Sequence, residues 1–494
     1  MPIDALEPHP LVRLLGKRPS DFTADDLVRV VDHWGLRQVN LRYVAGDGRL
    51  KTLAFPINSR DHLRETLTRG ERIDASSAFP DADADASDVY AVPRHRTAFL
   101  NPFGVQRSLD VLCSLYAEDG RPLSYAREQV LRRASAALTA ESGMTLEVFG
   151  ELEYYLVEDR DVLFPLEPER GYQESGPFAK GQQVREQVMG HLNTMGISLK
   201  YAHGEVGNIL EDHRQLAQHE IELQPMPLEQ AADALVIAKW VVREVAHAHG
   251  AEATFAPSVS SGGAGNGLHV HSRLVRDGVN TMVDRDGIND TARRLIAGYL
   301  TAARALSALG NRVPTSFLRF SDGEEAPDAI CWGERDRTGL VRVPLAWTGD
   351  VLPTMLAHAN PSEDVQPAAA TDLLAGTHPQ TIELRLADGS ADVHLLLAGM
   401  AVAARHGLAA TDSLDQATRM STKSGTDFEA LPSSCTEAAD ALEAQRSMFE
   451  ADDVFPASLV DALLRELRTF DADDDPSQGA SRQQDLIRRH WHIG

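Results

Sequence analysis

The stretch GELEYYLVED, residues 150–159, places two carboxylates inside an apolar and aromatic run. Because side chains alternate faces along a β-strand, Glu151 and Glu153 point one way while Leu152 and Tyr154 point the other. Two like charges on one face repel each other and weaken a strand. An exposed surface strand tolerates this repulsion, which gives one interpretation. The other interpretation is that a cation lies between the two carboxylates.

A second pair of candidate metal ligands follows a glycine-rich loop in GGAGNGLHVHS, residues 262–272. The glycines resemble a phosphate-binding loop, but they lead into a strand instead of a helix, which excludes a dinucleotide-binding motif. His269 and His271 again share one strand face. Such a pair can ligate a metal ion or serve as a hydrogen-bonded scaffold, so both interpretations stay open.

Three further segments offer charged groups with similar spacing. In HGEVGNILEDHRQLAQHEIELQP, residues 203–225, Glu220 and Glu222 share a face of a strand-like run. Arginines are concentrated in RFSDGEEAPDAICWGERDRTGLVRVP, residues 319–344, and TIELRLAD follows at 381–388. Guanidinium groups suit phosphate and carboxylate oxygens. Alternatively, these segments form an acidic surface loop and ordinary ion pairs.

Composition excludes several classes of protein. The 494 residues include 48 basic and 73 acidic side chains, and a net charge of −25 repels nucleic acid and anionic membranes. No apolar run is long enough to predict a transmembrane helix, and the N-terminus lacks a signal-peptide pattern. Cys113, Cys331 and Cys435 lie far apart, which fits a reduced cytoplasm. We therefore expect a cytoplasmic protein with neither nucleic-acid nor membrane partners.

The elements that must position these side chains mix helices with short strands. Residues 22–34 predict an amphipathic helix with Thr23 or Asp25 near its N-cap, and residues 38–57 predict a hairpin. The segment 145–158 is either a pair of strands or one long bent strand. Interspersed helices and short strands predict an α+β fold with mainly antiparallel pairing instead of a doubly wound sheet.

Each pattern is weak alone, but their order along the chain is specific. E-x-E, a spaced acidic pair, N-G-x-H-x-H, an arginine-rich stretch with E-A-P, and I-E-x-R together resemble the glutamine synthetase family, type I. Residues 71–93, ERIDASSAFPDADADASDVYAVP, resemble the family's DGSS loop and the strand after it. The resemblance runs over most of the chain.

The resemblance implies an α+β protein with two domains. An N-terminal β-grasp domain would span residues 1–108, and a catalytic domain with a curved antiparallel sheet would span residues 109–494. The implied assembly is a homo-oligomeric double ring, usually a dodecamer, with active sites between neighbouring subunits. The implied cofactors are ATP and two or three Mg²⁺ or Mn²⁺ ions, which carboxylate-rich ligand sets suit.

The resemblance also assigns metal ligands residue by residue. The expected ligands fall into two sets, Glu153, Glu205 and Glu220 for one ion, and Glu151, His269 and Glu383 for the other. The middle ligand of the first set stays open. An apparent loop separates Glu205 from Glu220, so Glu211 or Asp212 can take the place of Glu205. The stretch 349–379 is an insertion relative to the family pattern.

The remaining roles concern substrates and chemistry. Nucleotide phosphates would contact His271, Arg337 and Arg342, and glutamate would contact Gly265, Arg319 and Arg385. The catalytic set would be Asp74 of a neighbouring subunit as the base, Glu325 as the flap carboxylate, and Arg337 on the transferred phosphate. The implied reaction is ATP-dependent ligation of ammonia to the γ-carboxylate of L-glutamate through γ-glutamyl phosphate, which forms glutamine.

Departures from the family pattern leave the nucleophile open. Phe178 is aligned with the tyrosine that usually helps enclose ammonium, Ala264 replaces an asparagine for which Asn266 can substitute, and Thr381 replaces an arginine near the nucleotide. An alternative is therefore a γ-glutamyl ligase for an organic amine such as a polyamine, ethanolamine or methylamine. A non-catalytic relative is a third interpretation, but it predicts lost metal ligands.

Overall fold

A computed structural model describes most of the chain. The described residues are 4–79, 88–284, 287–322, 326–327, 329–347, 351–360, 362, 379–425, 427–470 and 479–494. The strands are β1 Gln38–Val44, β2 Leu50–Pro56, β3 Glu71–Asp74, β4 Asp88–Pro93, β5 Phe99–Asn101, β6 Ser108–Tyr116, β7 Thr145–Asp159, β8 Leu199–Leu210, β9 Arg214–Leu223, β10 Met226–Pro227, β11 Glu252–Thr254, β12 Leu268–Arg276, β13 Val279–Asn280, β14 Val283–Asp284, β15 Gly287–Ile288, β16 Ala329–Glu334, β17 Gly339–Val343 and β18 Ile382–Leu384.

Helices alternate with these strands along the chain. The α-helices are Pro10–Leu15, Ala24–Trp34, Arg60–Arg69, Ala75–Ala78, Arg127–Ser142, Gln182–Thr194, Leu228–Ala248, Asp290–Gly310, Pro314–Asp322, Val351–Ala359, Val393–Ala409, Ser413–Arg419, Cys435–Ala444, Arg446–Glu450, Ala457–Arg468 and Ala480–Arg489. The described residues also form short 3₁₀ segments at Pro19–Asp21, His95–Thr97 and Ala451–Asp453.

The helix Ala24–Trp34 begins at a cap that the sequence predicts. The Thr23 hydroxyl accepts from the Asp26 N–H at 3.2 Å, and the Asp26 carboxylate accepts from the Thr23 N–H at 3.0 Å. This reciprocal capping box satisfies two backbone donors at the helix start. The prediction of Thr23 or Asp25 is thus resolved in favour of Thr23.

The predicted hairpin is part of the first sheet, whose strand order is β2-β1-β6-β4-β3 with β5 paired to β6. β1 and β6 are parallel, and the other pairs are antiparallel. This is the β-grasp arrangement that the resemblance implies. Because β6 pairs with three strands of this sheet, we propose a domain boundary after Tyr116 in place of the expected one at residue 108.

The second sheet has the order β16-β17-β18-β12-β7-β9-β8, with short strands added to β7 and β12. All its neighbours pair in antiparallel fashion except β16 and β17. The prediction of a mainly antiparallel α+β fold is therefore confirmed. β7 is one continuous strand of 15 residues, which settles the alternative between two strands and one.

The described helices cover one face of the second sheet, and the described residues leave a cavity on the other face. Leu228–Ala248 packs on β7, and Leu235 lies so close to Gly150 that an added Cβ would approach its Cδ2 to 2.9 Å. The apolar residues on this side therefore fix the position of β7 and of Glu151 beside Gly150. Of the described helices, none alone is long and apolar enough to cross a membrane; Val393–Ala409 and Ser413–Arg419 reach that length and composition together, bent by 107°.

Candidate active site

Alternating charged residues of the second sheet line a cavity of about 640 Å³ on its open face. The residues that face the cavity from neighbouring strands are Glu151 and Glu153 on β7, Glu220 and Glu222 on β9, His269 and His271 on β12, Arg342 on β17, and Glu383 on β18. Strand register brings them together, because residues two apart on each strand point to the same face.

The register aligns carboxylates with imidazoles across the sheet. Glu151 lies opposite His269 on one side and Glu222 on the other, and Glu153 lies opposite Glu220. The segments 150–159 and 262–272 thus meet although more than a hundred residues separate them. These pairings give the chain one continuous surface of potential oxygen and nitrogen ligands.

A first ligand cluster contains His203, Glu205 and Glu220, each with one ligand atom within 4.8 Å of the others. Glu205 is on β8 and Glu220 on β9, so the apparent loop between them is a β-hairpin with an irregular register between Gly204 and Asn208. The expectation of an inserted loop is therefore wrong.

The turn of that hairpin holds the two alternative residues for the middle position. Glu211 is exposed and forms an ion pair with Arg214 at 2.8 Å, and Asp212 is also exposed. Glu205, by contrast, is buried beside Glu220. The geometry therefore favours Glu205 over both alternatives.

A second ligand cluster contains Glu151, His271 and Glu383. Oε1 of Glu151 lies 2.9 Å from Nε2 of His271, and Oε2 lies 3.2 Å from Nδ1 of His269. The hydroxyl of Thr381 lies 2.9 Å from Nδ1 of His271 and orients that ring. Thr381 therefore has a structural role at the position where the family pattern has an arginine.

The carboxylates repel one another strongly in this partly buried site. Burial raises the pKa of Glu153 to about 7, and burial together with Glu151, Glu153 and other carboxylates raises the pKa of Glu220 well above its usual range. Burial also acts to raise the pKa of Glu151, but His271 and His269 hold that pKa well below its usual range. A carboxylate set with unrelieved repulsion is the donor set that a hard divalent cation requires.

Arginines form the wall opposite the carboxylates. Arg342 donates to Glu383 at 2.7 Å, Nε of Arg385 lies 3.3 Å from the same carboxylate, and Arg337 also lines the cavity. Arg385 donates to the backbone oxygen of Arg337, which ties the two residues together. Positive groups with fixed positions beside a carboxylate cluster suit a phosphorylated ligand bound through cations.

Two expected glutamate contacts, Arg319 and Gly265, lie close to His269 and to each other but are not among the residues that line the cavity. Arg319 is on the helix Pro314–Asp322, and its Nη2 lies 3.4 Å from Nε2 of His269. Gly265 passes so close to Arg319 that an added Cβ would lie 3.0 Å from its Cγ. Asn266, by contrast, uses its amide to donate to the backbone oxygens of Thr254 and Ala256, so its side chain holds the loop.

Asp74, one of the expected catalytic residues, does not line this cavity. Asp74 is exposed in the first sheet, where its carboxylate accepts from Ser76 N–H and from the hydroxyls of Ser76 and Ser77. Glu325 lies outside the described residues, as does most of the stretch 349–379. The structure of the single chain therefore leaves the roles of Asp74 and Glu325 as predictions.

Phe178 lies away from the place that the sequence predicts for it. Phe178 is exposed and packs edge-on against Phe164, with ring centroids 5.7 Å apart, and it does not line the cavity. Tyr172 does line the cavity, with its ring centroid 5.3 Å from that of His203. The expectation that Phe178 replaces a site tyrosine is therefore wrong, and the GY pair at 171–172 was the signal that could have found the tyrosine.

Three more lining residues were not assigned a role. Lys200 donates to Glu222 at 2.5 Å, and Tyr201 lies next to it on β8. The second oxygen of Glu222 is buried and has no described hydrogen-bond partner, although the residue faces the cavity. An unpaired buried carboxylate oxygen costs free energy unless a cation or donor meets it, which again fits a cation-binding cavity.

Comparisons with known proteins agree with this geometry. Residues 35–118 match the model of the glutamine synthetase beta-Grasp domain, and residues 125–351 match that of the glutamine synthetase catalytic domain. Glutamine synthetase of Pyrococcus horikoshii is 31% identical over 69% of this chain and 74% of its own length. Glutamine synthetase of Clostridium saccharobutylicum is 28% identical over 66% of this chain and 72% of its own.

Solved structures give the same fold. Plasmodium falciparum glutamine synthetase aligns with a TM-score of 0.73 and 18% identity over 92% of this chain and 96% of that chain. Apo GmaS aligns with a TM-score of 0.71 and 19% identity over 92% of this chain and 98% of that chain. These two likenesses concern the fold alone, while the sequence matches concern descent. The chain therefore belongs to the glutamine synthetase family of ligases that form C–N bonds.

Proposed function

We propose that the protein ligates ammonia to the γ-carboxylate of L-glutamate with ATP, forming glutamine through γ-glutamyl phosphate. The supporting observation is the cavity in which carboxylates, imidazoles and arginines of different strands face one another. The alternative from another class of function is a family relative without catalytic activity, and it predicts that metal ligands have been lost. The carboxylates and imidazoles expected as ligands all line this cavity.

Divalent cations suit the carboxylates and imidazoles of this cavity, although the two proposed ligand sets take Glu153 and His269 where the two ligand clusters have His203 and His271. In this proposal Glu153, Glu205 and Glu220 hold one Mg²⁺ or Mn²⁺, and Glu151, His269 and Glu383 hold another. Bound cations would offset the negative charge of the transferred phosphoryl group. Nε2 of His203 lies 3.6 Å from Oε1 of Glu220 in the first set. Nε2 of His271 contacts Oε1 of Glu151 in the second set.

The arginine wall then orients the two anionic substrates. Arg337, Arg342 and His271 would contact the nucleotide phosphates, while Arg319, Arg385 and Gly265 would contact glutamate. Arg385 is almost completely buried and bound to Glu383 and to Arg337, so its guanidinium is held before any substrate arrives. Groups oriented in advance lower the reorganisation cost of the reaction and favour attack of the glutamate carboxylate on the γ-phosphate.

The nucleophile would enter at the end of the cavity formed by Tyr172, His203 and Glu205. Asp74 of a neighbouring subunit would take a proton from the bound ammonium, so that ammonia attacks the acyl phosphate and phosphate leaves, and Glu325 would shield the acyl phosphate from water. Asp74 is exposed and does not line the cavity of its own chain, which is what a role in another copy requires. We therefore propose the homo-oligomeric double ring, a dodecamer, with active sites at subunit interfaces, acting in the cytoplasm.

An organic amine is the second candidate nucleophile, and a specific observation favours it. The rings of Tyr172 and Tyr201 flank His203 at centroid distances of 5.3 and 5.7 Å, and both tyrosines are about half exposed at the cavity. Aromatic faces attract alkylammonium groups. Methylamine, ethanolamine or a polyamine would find such faces here.

A phosphate-release assay with ATP, glutamate and Mg²⁺ distinguishes these candidates. The assay compares ammonium with methylamine, ethanolamine and putrescine, and mass spectrometry identifies each product. We expect the highest kcat/KM with ammonium. An amine that exceeds ammonium by orders of magnitude would replace the first candidate by the second, and no turnover with any nucleophile would contradict both.

A further inference from the structure

Gln218 lies on β9, buried beside the carboxylates of the 640 Å³ cavity. It precedes Glu220 by two residues, so its side chain points to the same face of the sheet as that expected metal ligand. Gln218 is 1% exposed and is not among the residues that line the cavity. A buried amide must find partners both for its N–H donors and for its oxygen.

The amide nitrogen of Gln218 joins two separate parts of the proposed site. Nε2 lies 3.0 Å from Oε2 of Glu153 on β7 and 3.0 Å from the backbone oxygen of Gly265. A third oxygen, Oδ1 of Asn266, lies 3.4 Å away. Glu153 is an expected metal ligand and Gly265 an expected glutamate contact, so one amide donates to a residue of each proposed subsite.

The amide oxygen of Gln218 has a partner of its own, which fixes the orientation of the side chain. Oε1 accepts from the N–H of Gly207 on β8 at 3.0 Å. An amide rotated by half a turn would set its oxygen against the Glu153 carboxylate and the Gly265 carbonyl, and its nitrogen against an N–H. Only one orientation therefore matches every donor with an acceptor.

Gly207 belongs to the irregular part of β8 that also holds Glu205. Residues 205–207 lie opposite Gln218 alone, because the register between β8 and β9 shifts at this point. Extra residues in one strand redirect its side chains and leave backbone groups without a ladder partner. The oxygen of Gln218 meets one of these groups, so the same glutamine holds the strand segment that carries a second expected metal ligand.

The Glu153 carboxylate receives two donors on one of its oxygens. Oε2 accepts from Gln218 and from the N–H of Gly267, the latter at 2.8 Å. Oε1 lies on the other side, 3.8 Å from Nδ1 of His269. Donors that hold one oxygen of a metal-binding carboxylate fix its direction and leave the other oxygen to face the ion.

We propose that Gln218 is a positioning residue, which holds the Glu153 carboxylate and the loop at Gly265 in one arrangement and so sets the geometry of both proposed subsites. Without the amide, the carboxylate can rotate and the loop can shift, so a cation and glutamate both bind more weakly. The part that concerns glutamate rests on the proposed ligase function. The part that concerns the cation does not need turnover.

Isothermal titration calorimetry of the full chain with MnCl₂ tests the effect on cation binding. Gln218→Met keeps the length of the side chain and removes the amide, and Gln215→Met is the matched control. Gln215 is also buried on β9, but its oxygen accepts from the N–H of Asp161, and no hydrogen bond joins its side chain to the described carboxylates of the cavity. We expect Gln218→Met to raise the Kd of at least one Mn²⁺ site by about tenfold or more, the usual effect of removing a partner of a metal ligand.

Gln215→Met should leave Mn²⁺ binding unchanged. Where Gln218→Met does not fold, Gln218→Asn replaces it with the same expected result, because an amide shorter by one methylene cannot reach Gly207, Glu153 and Gly265 together. Wild-type Mn²⁺ affinity in the folded Gln218 variant, or an equal loss in Gln215→Met, overturns the proposal.

Steady-state kinetics separate positioning from a purely structural role. In Gln218→Met we expect KM for glutamate to rise about tenfold while KM for ATP stays unchanged, since the amide contacts the loop at Gly265 and not the arginines expected at the phosphates. A variant with a lower Tm but wild-type KM for glutamate and wild-type Kd for Mn²⁺ would show that Gln218 only stabilises the fold, and the proposal would be wrong. If the wild type shows no turnover with any nucleophile, the proposed function fails, and the calorimetry alone decides whether Gln218 positions Glu153.

Discussion

Glu151 of β7 lies directly opposite His269 of β12, with Oε2 of the carboxylate 3.2 Å from Nδ1 of the ring. The same carboxylate contacts His271 through its other oxygen at 2.9 Å. One glutamate thus joins both histidines of the H-x-H segment. The position of this glutamate depends on β7, which the helix Leu228–Ala248 holds from behind through Leu235 and Gly150.

Glu151→Gln should remove activity without unfolding the protein. The amide keeps the size of the side chain but binds a divalent cation much more weakly, and loss of a metal ligand costs several kcal/mol of transition-state stabilisation. We expect Mg²⁺-dependent phosphate release to fall by about 10³-fold or more. Glu147→Gln is the control, because Glu147 is on the same strand but pairs with Arg273 at 2.7 Å. Equal loss in both variants would argue against a specific role for Glu151.

Glu220→Gln should stabilise the metal-free protein. Burial and four neighbouring carboxylates raise the pKa of Glu220 well above its usual range, so the folded state either holds a proton there or endures repulsion. Removing that cost should add about 0.5–2 kcal/mol of stability in EDTA and raise Tm. Mg²⁺ should raise the Tm of the variant less than that of the wild type. Glu211→Gln in the adjacent turn is the control, and an unchanged or lower Tm in Glu220→Gln would contradict the electrostatic account.

The stability of the metal-free protein should depend on pH through Glu153. Burial raises the pKa of this carboxyl from 4.5 in the unfolded chain to about 7 in the folded one. The folded state therefore binds the extra proton, and its stability falls as pH rises from about 4.5 to about 7, by at most about 1.4 kcal/mol per pH unit, and then levels off. Urea unfolding of wild type and Glu153→Gln across this range should give stabilities that are most alike at low pH and diverge as pH rises, because the variant keeps a neutral side chain. Curves that stay parallel would contradict the raised pKa.

Tyr172→Phe should weaken binding of the nucleophile. Loss of one hydroxyl beside His203 removes a hydrogen-bonding group worth up to a few kcal/mol for a charged ligand, so we expect KM for ammonium to rise about tenfold. Phe178→Leu is the matched control, since Phe178 packs on Phe164 away from the cavity. A larger effect from Phe178→Leu than from Tyr172→Phe would mean that the wrong aromatic residue has been placed at the site.

Local patterns in the sequence predicted which side chains share a face. The period of two in β7 and β12 pairs Glu151 with Glu153 and His269 with His271, and the structure shows both pairs facing one cavity. The cap at Thr23 was also predictable, because a capping box depends on residues three apart. Such features depend only on residues that are close along the chain, so the sequence alone is enough to predict them.

Long-range register was not predictable in the same way. Glu205 and Glu220 seemed separated by a loop because the turn at 211–213 and the irregular register after Gly204 depend on strand pairing. The strand pattern of β6 also does not reveal its parallel pairing with β1, and the boundary that we propose after Tyr116 depends on that pairing. Tyr172 lies in a segment without strand or helix, where periodicity gives no direction for a side chain.

An isotope-transfer experiment tests the central claim most directly, namely that this cavity activates glutamate as an acyl phosphate. Glutamate labelled with ¹⁸O in its γ-carboxylate is incubated with ATP, Mg²⁺ and the nucleophile that gives turnover. Attack of the carboxylate on the γ-phosphate leaves one labelled oxygen on the phosphate when the amine displaces it. The account predicts one ¹⁸O in the inorganic phosphate for each amide formed, and unlabelled phosphate released alongside the amide would contradict it.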